Sequence, residues 1–295
     1  MQDLKKEYSK FIKKQQTTRE RFYDSSKQLN KFYLPLCKKI FKLHTAQKRP
    51  LLLGLSGGQG SGKSTISQIL KMILNLNYNL NVVCISIDDF YKTAMERKKM
   101  SKVIHPLFLT RGVPGTHDCK MLYNKINVLL KKKFHLIKLP KFDKSIDDRL
   151  NSKHWQKINK KPDIIIFEGW CVGAKPQKFK DLRKPINLLE KEEDTKLTWR
   201  KKVNNELKTN YKKVYKLLDK KIYLKVPSFK YVFKWRLLQE KKLRKRFKGN
   251  SMSNKEIKRF IMFYERITKN MEKNINKNDF VIFIDKKHKI KSIRF

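Results

Sequence analysis

The hydrophobic positions of the chain alternate between short apolar runs and longer stretches with helical spacing. The apolar runs have the length of buried strands and cover residues 50–56, 82–87, 163–167, 221–227 and 279–285. Helical patterns lie between them, the first from Ser64 and others over residues 119–133 and 197–220. Because strands that alternate with helices assemble into parallel sheets covered on both faces, this pattern predicts an α/β fold with a parallel sheet flanked by helices.

Two helical segments lie outside that alternation. Residues 1–49 carry apolar side chains at helical spacing, interrupted at Pro35, and predict an N-terminal helical extension before a main domain of residues 50–295. Residues 229–247, together with a helix that starts at the capping box of Ser253 and Glu256, predict a helical lid over residues 229–271. Closure of such a lid would exclude water from a site beneath it.

A glycine-rich segment, GGQGSGKS at residues 57–64, joins the first strand to the first helix. It fits the phosphate-loop pattern G-x-x-x-x-G-K-[ST], in which backbone N–H groups and a helix N-terminus surround phosphates. A turn that binds nothing is the alternative, but the complete motif and both flanks favour a nucleotide site that takes ATP and Mg²⁺. The predicted nucleotide-binding residues are Gly57, Gly58, Gln59, Gly60, Ser61, Gly62, Lys63, Ser64 and Thr65.

Carboxylates follow the second and third predicted strands. Glu168 ends the third strand, where a carboxylate of a phosphate-loop site helps to hold magnesium, so we predict Ser64 and Glu168 as metal ligands. Asp88 and Asp89 follow the second strand, which can lie beside the phosphate loop, and Asp88 is the predicted base for an acceptor hydroxyl. Three alternatives stay open: the pair caps a helix, it only orders water, or one member holds metal while the other accepts the proton.

The loop HPLFLTRGVPGTHD, residues 105–118, combines charged groups with rigid turn residues. Arg111 offers a planar fork that can bind a carboxylate through two hydrogen bonds. His105 and His117 can each be structural, since a loop histidine is more often a scaffold residue than a catalyst. The segment predicts an acceptor-binding loop with Arg111, His117 and Asp118 as its polar groups.

Composition limits the remaining classes of function. The net charge is +47 over 295 residues, but lysine is scattered over almost every segment and no Arg-rich tail is present, so we expect no specific nucleic-acid partner. No apolar run reaches ~18 residues and the N-terminus lacks a signal-peptide core, so we expect no membrane partner. Four widely separated cysteines favour a cytoplasmic location: Cys37, Cys84, Cys119 and Cys171. The oligomeric state stays open.

Several motifs together resemble a known family. SIDDFY, TRGVPGTHD, LPKFDKS, IIIFEGW and WRLLQE are similar to segments of the plant and fungal D-glycerate 3-kinases, over residues 51–285. That group belongs to the wider phosphate-loop superfamily of phosphoribulokinase, uridine kinase and pantothenate kinase. The resemblance implies ATP as donor, a small hydroxy acid as substrate, and phosphorylation of D-glycerate to 3-phosphoglycerate.

The resemblance also implies roles for individual residues. The implied acceptor-side residues are Arg111, His117, Asp118, Asp89, Tyr91 and Lys144. The implied catalytic residues are Asp88, Lys63, Glu168 and Arg244, the last on a lid that also carries Arg236. The alternatives are a uridine- or pantothenate-type kinase, or a non-catalytic ATP-binding or RNA-associated protein. A hydroxyl base favours catalysis, because a pure switch needs none.

Overall fold

The computed structural model describes residues 2–15, 25–246 and 252–295. Its α-helices are α1 (Gln2–Gln15), α2 (Ser25–Gln28), α3 (Leu34–Thr45), α4 (Lys63–Tyr78), α5 (Ala94–Val103), α6 (Cys119–Leu130), α7 (Phe179–Arg183), α8 (Leu188–Glu192), α9 (Thr198–Glu206), α10 (Lys212–Tyr215), α11 (Phe229–Arg246) and α12 (Asn254–Lys273). Its strands are β1 (Leu51–Gly57), β2 (Val82–Ser86), β3 (Ile137–Leu139), β4 (Phe142–Asp143), β5 (Asp148–Arg149), β6 (Gln156–Ile158), β7 (Ile164–Gly169), β8 (Lys220–Lys225), β9 (Phe280–Ile284) and β10 (Ile290–Arg294).

A six-stranded sheet organises the structure, with the strand order β10-β9-β8-β1-β7-β2. β1 is central and pairs in parallel with β7 on one side and with β8 on the other. β2 and β9 continue the parallel arrangement outwards, and only the edge strand β10 is antiparallel within this sheet. The carboxyl ends of β1, β2 and β7 therefore meet at one edge, where ligands of open α/β sheets bind.

The α/β fold predicted from the apolar pattern is confirmed. The five predicted strands correspond to β1, β2, β7, β8 and β9, with bounds that differ by at most two residues. The apolar pattern did not predict β10, because its sequence IKSIR is polar and only Ile290 is buried. It also missed α5, although Thr93 and Glu96 form a capping box at its start that the sequence displays.

Both faces of the sheet are covered. Along β1, Leu52 points into a core shared with α6, α9 and α12, whereas Leu51, Leu53 and Leu55 point into a second core. That second core contains side chains of α1, α3 and α4, so the N-terminal helices pack on the sheet face that α4 covers. Full burial of such a side chain contributes about 1.5–3 kcal/mol. The division of the chain at residue 50 remains a prediction.

Two helical stretches of the described chain contain a π turn and are less regular than a single α-helix. The predicted helix over residues 197–220 forms as α9, a π-helical turn at Leu207–Tyr211, and α10, and it ends at Tyr215, before β8 begins at Lys220. A second π turn, Leu29–Tyr33, leads directly into α3, and Pro35 lies in the first turn of that helix. Within the described ranges, no helix combines the length and apolar character that a membrane crossing needs.

Candidate active site

The phosphate loop connects β1 to α4 at the carboxyl edge of the sheet. Gly60 and Gly62 have φ of 74° and 90°, in the left-handed region that favours glycine. A Cβ atom on Gly57 would lie 2.7 Å from the Cβ of Leu224 on β8, so the close strand packing also requires glycine there. The sequence GGQGSGKS thus forms the tight strand-to-helix turn that the motif predicts.

The ammonium group of Lys63 points back over this loop. Its Nζ donates hydrogen bonds to the carbonyls of Gly57 and Gly58, each at 3.1 Å. Burial lowers the pKa of Lys63, and the negative charges of Glu168 and Asp88 oppose that shift. Lys63 is therefore the cationic group at the point where the ends of β1, β2 and β7 meet.

The same loop has unused hydrogen-bonding capacity. The buried Oγ of Ser61 has no partner among the residues that the structure describes. Buried hydroxyls are normally paired, so an unpaired one inside a phosphate loop fits a bound phosphate oxygen. Thr65 lies in the first turn of α4, one residue after Ser64.

A hydroxyl and a carboxylate meet beside the loop. Ser64 donates a hydrogen bond to Oε1 of Glu168 at 2.9 Å, because β7 pairs directly with β1. Burial raises the pKa of Glu168, and the charge of Lys63 opposes the shift. Magnesium takes hard oxygen ligands and usually keeps only one or two from the protein, so this pair fits it. Nowhere in the described part do three or more His, Cys, Asp or Glu side chains cluster as metal ligands.

Asp88 lies in the 3₁₀ turn Ile87–Phe90 that follows β2. The expectation that β2 lies beside the phosphate-loop strand is wrong, because β7 is inserted between β1 and β2. Asp88 accepts hydrogen bonds from Tyr91 Oη at 3.0 Å and from Lys144 Nζ at 2.7 Å. Burial raises the pKa of Asp88, but Lys144 outweighs burial through its charge and hydrogen bond, and the pKa falls to about 2. Asp88 is thus ionised at neutral pH, and its role as the base remains a prediction.

Asp89 has a different environment from Asp88. Its carboxylate accepts hydrogen bonds from Lys141 Nζ at 3.2 Å and from the backbone N–H of Phe142 at 3.3 Å. The hydroxyl of Ser86 caps the 3₁₀ turn by accepting from the Asp88 backbone N–H, so neither carboxylate is the cap of that turn. This arrangement favours Asp88 as the base, a role that remains a prediction. The contacts of Asp89 anchor the start of β4, and its role on the acceptor side also remains a prediction.

The three polar groups of the acceptor loop are held by different partners. Arg111 forms an ion pair with Asp147, and its guanidinium lies 5.6 Å from the ring centre of Phe142. Asp118 caps α6 by accepting from the N–H of Met121 at 2.9 Å. The cap gives Asp118 a structural task, and its role in substrate binding remains a prediction.

His117 is buried between two tyrosines. Its Nδ1 lies 2.6 Å from Oη of Tyr211, and its ring stacks on Tyr91 with 4.4 Å between centres. Burial lowers the pKa of His117 to about 4, so the ring is neutral at neutral pH. Its Nε2 is buried without a hydrogen-bond partner in the described ranges. His117 therefore presents one polar atom that a ligand can use.

The sequence analysis missed two tyrosines of this region. Tyr264 on α12 donates a hydrogen bond from its hydroxyl to the carbonyl of Arg111 at 3.3 Å. A Cβ atom on Gly112, which has a φ of 135°, would lie 2.1 Å from that hydroxyl, so only glycine fits beside it. Tyr211, in the π turn after α9, also accepts from the N–H of Gly115 at 3.0 Å. Both lie in amphipathic helical segments, where aromatic residues usually indicate core packing.

The start of the predicted lid lies against the phosphate loop. A Cβ on Gly58 would come within 2.8 Å of Val232, and one on Gly60 within 3.0 Å of Trp235, so α11 packs on the loop itself. Arg236 forms an ion pair with Glu240 at 2.8 Å. The side chain of Arg244 lies outside the described part of the chain, and its catalytic role remains a prediction.

A separate cavity of about 820 Å³ opens between α6, β3 and the segment that precedes β6. Its lining includes Asp118, Trp155 and three lysines: Lys120, Lys125 and Lys138. Among the predicted site residues only Asp118 lines it. Phosphoryl-transfer groups are absent from this cavity, so the ends of β1, β2 and β7 remain the candidate active site.

No family model matches the chain. The sequence is 34% identical over 238 residues to the uncharacterized kinase mug58 of Schizosaccharomyces pombe, covering 78% of this chain and 83% of that protein. It is 29% identical over 250 residues to the chloroplastic D-glycerate 3-kinase of Arabidopsis thaliana, covering 79% of this chain but only 52% of the plant protein.

A solved structure has the same fold. The D-glycerate 3-kinase from Cryptococcus neoformans var. grubii matches with a TM-score of 0.74 and 23% identity, over 88% of this chain and 96% of that one. The resemblance found in the motifs is confirmed, and so is the fold class, whereas the roles of the individual site residues remain predictions. The chain therefore belongs to the phosphate-loop kinase family whose members include mug58 and the D-glycerate 3-kinases.

Proposed function

We propose that this kinase transfers the γ-phosphoryl group of ATP to a hydroxyl of a small hydroxy acid, and that the acceptor is D-glycerate. The observation that carries the proposal is the position of Asp88. An ionised carboxylate lies at the end of β2, within the electrostatic reach of Lys63 and Glu168. A nucleotide switch has no need for a base at this point, whereas a kinase uses one to accept the proton of the acceptor hydroxyl.

The donor side follows from the phosphate loop. Backbone N–H groups, the Ser61 hydroxyl and the N-terminus of α4 would surround the phosphates of ATP. Lys63 would neutralise charge that builds up on the transferring group. Ser64 and Glu168 would hold Mg²⁺, which supplies charge neutralisation of the phosphate oxygens when bound. α11 packs on the loop and would keep water away from it.

The acceptor side supports a small anion with hydroxyl groups. Arg111 can bind a carboxylate through two parallel hydrogen bonds. The unpaired Nε2 of His117 can bond one hydroxyl, while Asp88 accepts the proton of the other. Tyr91 holds Asp88 and stacks on His117, so one residue orients both groups. D-glycerate offers one carboxylate and two hydroxyls, which matches these three groups.

We also propose a cytoplasmic location, consistent with the four unpaired cysteines.

The test is an acceptor panel with the full chain, ATP and Mg²⁺, in which ADP release is measured for D-glycerate, uridine and pantothenate. We expect D-glycerate to have the highest kcat/KM. A higher value for uridine or pantothenate would contradict the hydroxy-acid assignment and leave the kinase assignment intact. ATP binding without any acceptor-dependent ADP release would instead favour the non-catalytic alternative.

A further inference from the structure

One short hairpin covers both charged groups of the proposed acceptor site. β4 and β5 pair in antiparallel fashion and, with the turn between them, form residues 142–149, here named the acceptor hairpin. Lys144 of this hairpin donates to Asp88 at 2.7 Å, and Asp147 forms an ion pair with Arg111. The proposed base and the proposed carboxylate-binding guanidinium are therefore each neutralised by the same segment.

Asp147 is held in place from its buried side. Its φ is 53°, in the left-handed region that Asp and Asn tolerate better than most residues. Arg97, which is 1% exposed, donates from Nη2 to both the backbone carbonyl and the carboxylate of Asp147, the latter at 2.9 Å. The Asp147 carboxylate thus bridges Arg97 and Arg111 at the bottom of the acceptor loop.

The base of the hairpin is anchored, whereas its tip is exposed. Phe142 is buried and donates its N–H to Asp89. The side chains of Lys144 and Asp147 remain 60% and 46% exposed, and Ile146 is 61% exposed. The pairs that Lys144 and Asp147 make with Asp88 and Arg111 are partly exposed and therefore weak individually. Arg97 also donates to the carbonyls of Lys92 and Leu109, so it keeps two partners when Asp147 leaves. The tip can therefore leave the site while the base of the hairpin stays docked.

We propose that Asp147 occupies the place of the acceptor's carboxylate on Arg111, and that an acceptor binds by displacing it together with the tip of the acceptor hairpin. The proposal rests on the proposed function for the identity of the acceptor. Asp147 then determines specificity, since only a ligand with its own carboxylate can replace it on Arg111. The same movement takes Lys144 away from Asp88 and exposes the base when the acceptor is in place.

This competition has a quantitative consequence. The apparent affinity for the acceptor is reduced by the fraction of molecules in which Asp147 occupies Arg111. Removing the carboxylate of Asp147 removes that competitor and should tighten binding of carboxylate ligands, but not of uncharged ones. Asp147→Asn suits the test, because asparagine keeps the shape and tolerates the left-handed backbone, and the backbone carbonyl that Arg97 binds is unchanged.

The experiment is calorimetric titration of D-glycerate into the full chain with a non-hydrolysable ATP analogue and Mg²⁺, so that binding is measured without turnover. Glycerol serves as the uncharged ligand. We expect Asp147→Asn to bind D-glycerate about three-fold tighter than the wild type, with glycerol unchanged. Asp143→Asn is the matched control from the same hairpin, since that carboxylate accepts from the N–H and hydroxyl of Ser145, and it should behave as the wild type.

Equal or weaker binding of D-glycerate by Asp147→Asn would overturn the proposal. Tighter binding of glycerol as well would also overturn it, because the effect would then be general opening and not competition for Arg111. If Asp147→Asn does not fold, Asp147→Gly carries the same expectation, since glycine suits the backbone there. Absence of D-glycerate binding in every variant overturns the inference. Tighter binding by Asp147→Asn without ADP release in any variant would support it while contradicting the proposed reaction.

Discussion

The two halves of the active site are built in different ways. The donor half is mainly backbone: a glycine turn fixed between β1 and α4, whose shape is encoded in eight consecutive residues. The acceptor half consists of side-chain pairs between distant segments. Arg111 and Asp147 are 36 positions apart, Asp88 and Lys144 are 56 apart, and His117 and Tyr211 are 94 apart. The donor half is therefore local and rigid, while the acceptor half can be changed one pair at a time.

The largest effect should come from the donor half. Lys63→Ala removes the charge that stabilises the transferring phosphoryl group, and such electrostatic stabilisation is usually the largest single contribution to catalysis. We expect ADP release with D-glycerate to fall below detection. Lys71→Ala on the same helix, α4, is the control and should keep wild-type turnover. Turnover of Lys63→Ala within a few-fold of the wild type would contradict the assignment of the donor site.

The second-largest effect is expected at Asp88, which lies where the donor and acceptor halves of the site meet. Asp88→Asn keeps the shape of the side chain but removes proton acceptance, and loss of a general base costs about 10² to 10⁴ in rate. We expect kcat to fall by this amount while ATP binding changes little. Asp89→Asn is the matched comparison and should be milder, since the Asp89 carboxylate already accepts hydrogen bonds from Lys141 and from the N–H of Phe142. The opposite ranking of the two variants would exchange their roles.

The same contrast explains how much the sequence could predict. The five strands were identified because each is a short apolar run, and in β1 and β7 every residue is buried. The order of β7 and β2 within the sheet was not identifiable, because an apolar run that is buried on both faces does not indicate which strands pair with it. β10 was not predicted, because an edge strand can form with few apolar residues.

In the site, residue types were predictable and their partners were not. The phosphate loop and Asp88 follow strands, and Glu168 lies at the end of one, so a local signal predicted that they share one edge of the sheet. The ion pairs of Arg111 and Lys144 depend on a hairpin whose strands are only two residues long. Tyr264 reaches the site from α12, and in sequence it is indistinguishable from its aromatic neighbours in the core.

A smaller effect is expected at Arg111 in the acceptor half. Hydrogen bonds to charged groups contribute about 1.5 to 3 kcal/mol each, and about 1.4 kcal/mol is one decade of affinity. Arg111→Ala should therefore raise KM for D-glycerate at least ~10-fold and leave KM for ATP unchanged. Arg111→Lys keeps the charge but loses the planar fork, so it should also be impaired.

Arg259 provides the control for the Arg111 variants. It pairs with Glu193 on the surface of α12, away from the site, and Arg259→Lys should match the wild type in both KM values. An unchanged KM for D-glycerate in Arg111→Ala would remove Arg111 from the acceptor site. A parallel rise in KM for ATP would mean that the variant disturbs the donor half as well, and it would contradict the independence of the two halves.

The smallest expected effect concerns pH. A histidine and a carboxylate in a site normally make kcat/KM depend on pH near neutrality, and here we expect no such dependence. Lys144 keeps the pKa of Asp88 at about 2, and burial lowers that of His117 to about 4. Between about pH 6 and pH 8 Asp88 therefore stays ionised and His117 neutral, and protonation of His117 begins only as the pH falls toward 4. Because kcat/KM reports the groups of the free enzyme, its profile for D-glycerate should be the same in the wild type, His117→Gln and the surface control His154→Gln, apart from a constant factor. An acid limb near pH ~6.5 that disappears only in His117→Gln would show that this ring is charged in the free enzyme, and the acceptor half would then bind its anion through two cations instead of one.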